Sequence, residues 1–288
     1  MKNKAIIMSL AAFAVAAAAV TVSAQSLESQ LSNRKPVAIE TPNFKVKKPA
    51  TIKATGPLKL VSAKQNSITD DDRWINEHSG GQADGYFADN APAAIPRALD
   101  GSKLNRVIVD NAGDKVIGLY GYFKEEPLRL IVTDGEMKSV EHYLDLENFK
   151  WAPVAVRYAF SNLYGHWARV VDDVLYLAFG HNTYASSSEG MTAYLCAIDL
   201  NTYAIKWVAG PTVARGSFDF SYNRIICGYG FTDEPDYLYL LDKNTGKIMQ
   251  RVKLRKAPER VVVTGDNVYV RTYSYDYTFR ISRGVSGK

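Results

Sequence analysis

Long apolar segments are almost missing from this 288-residue chain. The one extended run, "AIIMSLAAFAVAAAAV" at 5–20, is mostly alanine and short for a membrane span of ~20 residues. It follows Lys2 and Lys4 and precedes "TVSA", whose small residues suit cleavage before Gln25. Residues 1–24 therefore read as a cleaved export signal rather than a transmembrane anchor. No cysteine follows the run, so the chain lacks the residue that lipoprotein anchoring needs; the mature chain of about 264 residues is expected in the periplasm or outside the cell. Charge of one sign is also scarce. Removing Lys2 and Lys4 from the 35 basic residues leaves 33 against 30 acidic ones, too even a balance for a nucleic-acid binder. Only Cys196 and Cys227 are present. Disulfides are permitted in an exported protein, yet both lie in apolar strand-like runs, which favours two buried thiols over a bridge. There is no Gly-x-Ser-x-Gly, phosphate loop or zinc motif. Amphipathic helical periodicity is not sustained over three turns anywhere in the mature chain.

What the chain does contain is β-sequence. Residues 25–57 mix Pro, Lys and Thr without a period and read as an extended or disordered tail. "LKLVSA" (58–63) is a strand candidate, followed by the acidic "SITDDDRW" (67–74) and a run rich in Gly, Ala and Pro through Asp100. From residue 104 onward, short runs rich in Val, Ile, Leu and Tyr alternate with Asn, Asp and Gly. A turn at Asp114, Asp173, Asn223 or Asp266 opens each unit, and a strand follows at 116–122, 174–179, 224–229 and 268–273. Tight hairpin turns fit 133–135, 200–203 and 243–246. Gly135 and Gly246 can supply positive φ there, whereas Tyr203 cannot do so cheaply. Units of about 40–50 residues with four short strands predict an all-β fold, a β-propeller of four-stranded antiparallel blades over 58–288. One blade cannot bury both its faces; stacking blades in a ring covers them. Four units are clear, and 58–103 pairing with the C-terminal strand makes about five blades, with six or seven sparser ones possible. A β-sandwich or meander is the competing architecture.

Two segments carry a family resemblance. "CAIDLNTYAIKW" (196–207) resembles the repeat of quinoprotein-type (PQQ-like, also WD40-like) β-propellers, Ala–Leu–Asp–x–x–Thr–Gly–x–x–x–Trp, at Ala197, Ile198, Asp199, Thr202 and Trp207. Tyr203 stands where that pattern has glycine. "LLDKNTGKIMQ" (240–250) matches at Leu241, Asp242, Thr245 and Gly246, with Gln250 replacing the tryptophan. The resemblance implies that this hairpin joins a blade's two outer strands. Its Asp and Thr would bond the turn and its Trp would pack on the next blade, making Asp199 and Asp242 poor catalytic candidates. Quinone-using members carry adjacent cysteines and about twice this length, so no cofactor is expected. The outer-membrane assembly lipoprotein of the family is a poor match, again for want of an anchor cysteine.

Loops before each hairpin are aromatic and variable. The blade register puts Tyr164, His166, His181, Tyr184, Arg215, Tyr229, Asp233, Arg260 and Tyr275 on one surface. Aromatic rings beside charges suit a glycan or a protein partner, so the expected function is an exported, non-enzymatic binding propeller. Its ligand contacts would be Tyr164, His181, Tyr184, Tyr229, Asp233 and Tyr275. The alternative is an enzyme acting on acidic polysaccharide, such as a lyase. There Arg215 or Arg260 would neutralise a uronate and His166 or a tyrosine would move the proton. No metal site is expected: His166 and His181 lack a third ligand, and the acidic runs 69–72 and 232–236 lack calcium-loop spacing.

Overall fold

The computed structural model describes residues 25–41, 51–67, 71–79, 84–110, 114–123, 125–149 and 163–283. The expected export signal lies outside the described residues, as do residues 69 and 70 of the acidic run. In chain order the elements are α1 (Leu27–Ser32), β1 (Val37–Ala38), β2 (Leu58–Gln65), α2 (Asp71–Ser79), β3 (Asp84–Phe87) and β4 (Ala98–Leu99). Then come β5 (Ser102–Val109), β6 (Lys115–Tyr120), β7 (Arg129–Asp134), β8 (Val140–Asp145), β9 (Tyr164–Val171), β10 (Val174–Gly180), β11 (Tyr194–Asp199) and β12 (Ile205–Ala209). The last are β13 (Asp219–Ser221), β14 (Arg224–Tyr229), β15 (Tyr237–Asp242), β16 (Ile248–Lys253), β17 (Pro258–Thr264), β18 (Asn267–Thr272) and β19 (Tyr275–Ile281).

These strands form repeated antiparallel sheets: β5 to β8, β9 to β12, β13 to β16, and β17 to β19 with β2. Four such sheets lie within the described residues, each strand pairing its sequence neighbour. This is an all-β propeller of four-stranded antiparallel blades. The fourth sheet takes its outer strand from the N-terminal side, since β2 runs antiparallel to β19 from Leu58↔Ile281 to Gln65↔Tyr275. Residues 58–103 thus reach the C-terminal strand as the sequence implied, and there they complete the fourth sheet. Beyond β2, α2 packs on β17 and β3 pairs with β5, so this segment passes from the fourth sheet to the first.

The middle strands of the second and third sheets are apolar on both faces because each of these sheets lies between two others. Leu175, Leu177, Leu195, Ala197, Ile225 and Leu241 are all fully buried in one continuous core. Cys196 and Cys227 sit there as free thiols, and burial pushes both up from the ordinary thiol range.

The N-terminal segment departs from the expected tail. Ser26 caps α1 by accepting from Ser29 N at 3.2 Å, and Leu27 and Leu31 are buried against the first sheet. β1 adds parallel to β8, and Ile39 is fully buried. A few apolar side chains suffice to dock a segment whose composition shows no period. α1 and α2 have 6 and 9 residues, too short for a periodicity reading to detect.

The outer hairpins join neighbouring blades. Asp199 Oδ1 accepts from Asn201 N (3.0 Å) and Thr202 N (2.9 Å); Asp242 Oδ1 accepts from Asn244 N (3.1 Å), Thr245 N (2.9 Å) and the Thr245 hydroxyl (2.8 Å). Trp207 reaches across to the next hairpin, donating its indole N–H to the Lys243 carbonyl at 3.1 Å. Gly246, at φ +67°, lies so close beneath that indole that a Cβ would sit 2.4 Å from Trp207. Gln250 stands at the equivalent position one blade on. Its Oε1 accepts from Leu58 N (2.9 Å) and its Nε2 donates to Leu58 O (2.8 Å), so it clasps the start of β2. Tyr203 does adopt φ 59° despite its side chain, and its hydroxyl meets His142 Nδ1 at 3.2 Å, a contact to the preceding blade that glycine lacks. In the first hairpin the positive φ falls on Met137 (55°), three residues past Asp134 and not on Gly135, whereas Tyr203 and Gly246 stand four residues past Asp199 and Asp242.

Gly246→Ala is expected to destabilise the protein by more than about 1 kcal/mol. The part due to the indole should disappear in a Trp207→Ala background, itself about 3–5 kcal/mol less stable, leaving the positive-φ cost. Urea unfolding of the four-member cycle measures the coupling; the same cost in both backgrounds would leave φ alone as its source.

Candidate functional site

Where the first strands of the four sheets converge, they surround a cavity of about 580 Å³. Its wall includes Asn105 and Arg106 of β5, Tyr164 and His166 of β9, Arg215 and Gly216 before β13, and Pro258, Glu259 and Arg260 of β17. Tyr122 and Asn182 join from loops after β6 and β10.

A shared backbone device aims these side chains. In β5 the pairing skips from Leu104 to Arg106, in β9 from Gly165 to Trp167, and in β17 from Pro258 to Arg260. The residues left out of register are Asn105, His166 and Glu259, and all three line the cavity. A bulge puts an extra residue opposite one partner and redirects its side chain. In the third sheet the chain ahead of β13 takes this place: Arg215 N donates to the Gly228 carbonyl at 2.7 Å and Gly216 holds φ +101°.

Polar contacts order the wall. Asn182 donates to the Tyr122 hydroxyl at 2.8 Å and its Oδ1 accepts from Arg215 Nη2 at 2.6 Å. Arg215 also stacks on Phe231 at 4.4 Å, and Arg260 lies 5.7 Å over the Trp167 ring. Tyr164 packs edge-on to Tyr122 at 4.8 Å and beside His166 at 4.3 Å. Burial, then repulsion from Arg215 and Arg106, holds the His166 imidazolium well below its ordinary range, so the ring is neutral at pH 7. A hydrogen bond with the Gly180 backbone acts in the opposite direction without overcoming these effects. The ring's Nε2 has no hydrogen-bond partner among the described residues. Burial and the neighbouring Arg260 lower Arg106 to about 10, and burial raises the Tyr164 phenol well above its usual value.

The nine site residues expected from the sequence are divided by the structure. Tyr164, His166, Arg215 and Arg260 come together in the cavity. His181 is buried and absent from its lining; Tyr229 is buried with its hydroxyl donated to Glu234. Tyr184 is half-exposed against Phe231 at 4.9 Å, and Glu234 Oε1 accepts from Ala185 N at 2.7 Å, tying its loop to the third sheet. Asp233 borders a separate hollow with Lys253 and Arg255, and Tyr275 carries Arg255 on its ring at 4.9 Å. Four of the nine thus share the cavity, and the other five do not line it. Sequence reading passed over Arg106, Asn105, Tyr122 and Asn182. The first two sit in a strand-like run, and a bulge is a property of pairing that the run does not reveal. Among the described residues no three His, Cys, Asp or Glu side chains cluster as metal ligands would, and no helix is long and apolar enough to cross a membrane.

Fold and cavity together define a repeat-built β-propeller with a pocket at the meeting of its blades. No family model matches the chain, and no curated protein does. Among solved structures it is similar to BamB from Moraxella catarrhalis (10% identity, 63% of this chain and 70% of that one, TM-score 0.33). It is also similar to "Bacteroides ovatus Xyloglucan PUL GH43B" (16% identity, 61% of this chain, TM-score 0.37) and to the WD40 β-propeller domain of Doa1 (13% identity, 66% of this chain, TM-score 0.34). The chain spans 38% of the Bacteroides ovatus protein and 63% of the Doa1 domain. At these TM-scores the likenesses carry no argument about function, and the propeller assignment rests on the sheets themselves.

His181 generates a pH prediction. Burial lowers it from 6.5 to about 4, and neither ring nitrogen has a partner among the described residues. As pH falls below 6.5 the unfolded chain takes up a proton that the fold refuses until about 4, so stability is lost across that window. The loss is on the order of 3 kcal/mol. His181→Leu should keep its stability at pH 7.5 and lose less of it between pH 6.5 and 4 than the parent, as read by urea unfolding at both ends. An unchanged slope would assign the acid sensitivity elsewhere.

Proposed function

We propose that this chain is an exported, non-enzymatic propeller of the quinoprotein type that binds a glycan in the cavity at the meeting of its first strands. The supporting observation is the convergence of Tyr122, Tyr164, His166, Arg215 and Arg260 on one concave space of about 580 Å³. Small-ligand sites fall in the range of roughly 300–1,000 Å³, whereas a protein partner is met by a broad, flatter surface. Tyrosine rings offer apolar area to a sugar face at little conformational cost, and asparagine and histidine supply directional polar contacts.

A second reading draws on His166. An imidazole beside Tyr164, with the Arg106, Arg215 and Arg260 guanidinium groups in the same wall, provides the residue types for removing a proton next to a stabilised carboxylate. That is the chemistry of a polysaccharide lyase.

A panel of glycans and polysaccharides, scored for binding and for ultraviolet absorbance from unsaturated products, separates the readings. Binding without product is the expected result, and product formation would establish the lyase. Asn182→Ala should weaken binding about tenfold, ~1.4 kcal/mol, without changing the thermal midpoint, because Asn182 positions both Tyr122 and Arg215. Silence across the panel would sink the glycan reading and turn the search to a protein partner.

A further inference from the structure

The second strand of every sheet ends in a loop that carries a large aromatic ring near the surface. Phe123 follows β6, Tyr184 follows β10, Phe231 follows β14 and Tyr273 follows β18. Phe123, Tyr184 and Tyr273 are 40%, 41% and 79% exposed, and Phe231 is half-buried. Strand pairing puts all four at the cavity's end of the molecule. Leu104 pairs with Tyr120, Tyr164 with Gly180 and Pro258 with Thr272, while Arg215 N meets the Gly228 carbonyl. Each loop therefore leaves its sheet beside a stretch of chain that borders the cavity.

These rings are exposed on fixed backbone. Glu126 Oε2 accepts from Tyr122 N (2.9 Å) and Phe123 N (3.3 Å), and Phe123 meets the cavity residue Tyr122 edge-on at 5.2 Å. Phe231 touches both the Arg215 guanidinium (4.4 Å) and the Tyr184 ring (4.9 Å). Asn66 Nδ2 donates to the Tyr273 carbonyl at 3.2 Å, and Thr272 Oγ1 accepts from Tyr275 N at 3.0 Å, which holds the turn between β18 and β19. Rings placed in this way need little further ordering to bind. Core packing does not account for them, least of all for Tyr273.

We infer that the four rings form a chain-binding rim, a set of platforms for the sugar units of a β-linked polysaccharide that extend beyond the cavity. The inference rests on the glycan reading above and adds that the ligand is a chain rather than a short sugar. A β-linked pyranose chain presents an apolar C–H face on each unit with hydroxyls at the edges, and aromatic rings along its path take those faces one at a time. The surroundings suit this ligand better than a protein. The same loops expose Glu125, Ser186, Glu189, Thr232 and Asp233, so polar groups share this face with the rings. A protein interface instead gathers its aromatic side chains into one desolvated core.

Calorimetric titration of the full chain with cellobiose, mannobiose and xylobiose, and with the corresponding hexaoses, tests the rim. At least one hexaose should bind at least tenfold more tightly than its own disaccharide. Tyr273→Ala and Phe123→Ala should each weaken that hexaose about fivefold and leave the disaccharide unchanged. Tyr273→Phe, which keeps the ring, should bind like the parent, and Asn182→Ala, at the cavity, should weaken both lengths. Matched thermal midpoints exclude unfolding. Equal affinity for hexaose and disaccharide, or a hexaose insensitive to both alanine substitutions, would overturn the rim while leaving a glycan in the cavity. Silence from all six probes would overturn the chain inference, and the glycan panel then decides separately whether the cavity takes another sugar.

Discussion

The structure depends on a buried charge network that ties first strands together. Asp110, just past β5, accepts from Arg169 Nε of β9 at 2.9 Å, and Arg169 Nη1 continues to Asp219 of β13 at 3.1 Å. The same carboxylates also accept from backbone: Asp110 Oδ2 from Val170 N at 3.1 Å, and Asp219 Oδ2 from Val263 N of β17 at 2.7 Å. One guanidinium and two carboxylates thereby reach all four sheets. Desolvating such charges costs several kcal/mol each, and the cost is met only because nearly every donor and acceptor is engaged. Apolar packing between blades is slippery by comparison, since flat faces of Leu, Val and Ile fit in several registers. Directional bonds at the inner strands choose one.

The periphery uses a different joint. Each outer hairpin spends an aspartate on its own turn and then sends one residue to the neighbouring blade. Trp207 does this by covering Gly246; Gln250 does it by clasping Leu58. The substitution of an amide for the indole follows from what lies opposite. Trp207 faces a closed turn, whereas Gln250 faces the start of an incoming strand, whose backbone N–H and C=O both need a partner. The departure from the repeat pattern is thus where the N-terminal strand enters the last sheet.

The functional end of the molecule is shaped by irregularity. Bulges at Asn105, His166 and Glu259 interrupt otherwise regular strands and turn polar side chains inward. Four of the expected residues were legible because aromatic and charged loops mark a binding face in general. Their division between cavity, buried support and a second hollow was not, since it depends on which way each loop folds back. His181 and Tyr229 look like ligands in sequence, yet they serve as buried support. Arg106 looks like a strand residue and lines the pocket.

Local chemistry alone determined the repeated unit: alternating apolar strands, Asp and Asn turns, and the paired Asp-x-Asn-Thr hairpins require only nearest neighbours in the chain. That sufficed for an all-β propeller and for setting Asp199 and Asp242 aside from catalysis. The destination of residues 25–41, the completion of the fourth sheet by β2, and the gathering of three arginines at one point were decided by tertiary structure. Each joins residues tens to hundreds of positions apart, and their attraction or repulsion exists only once the blades are stacked.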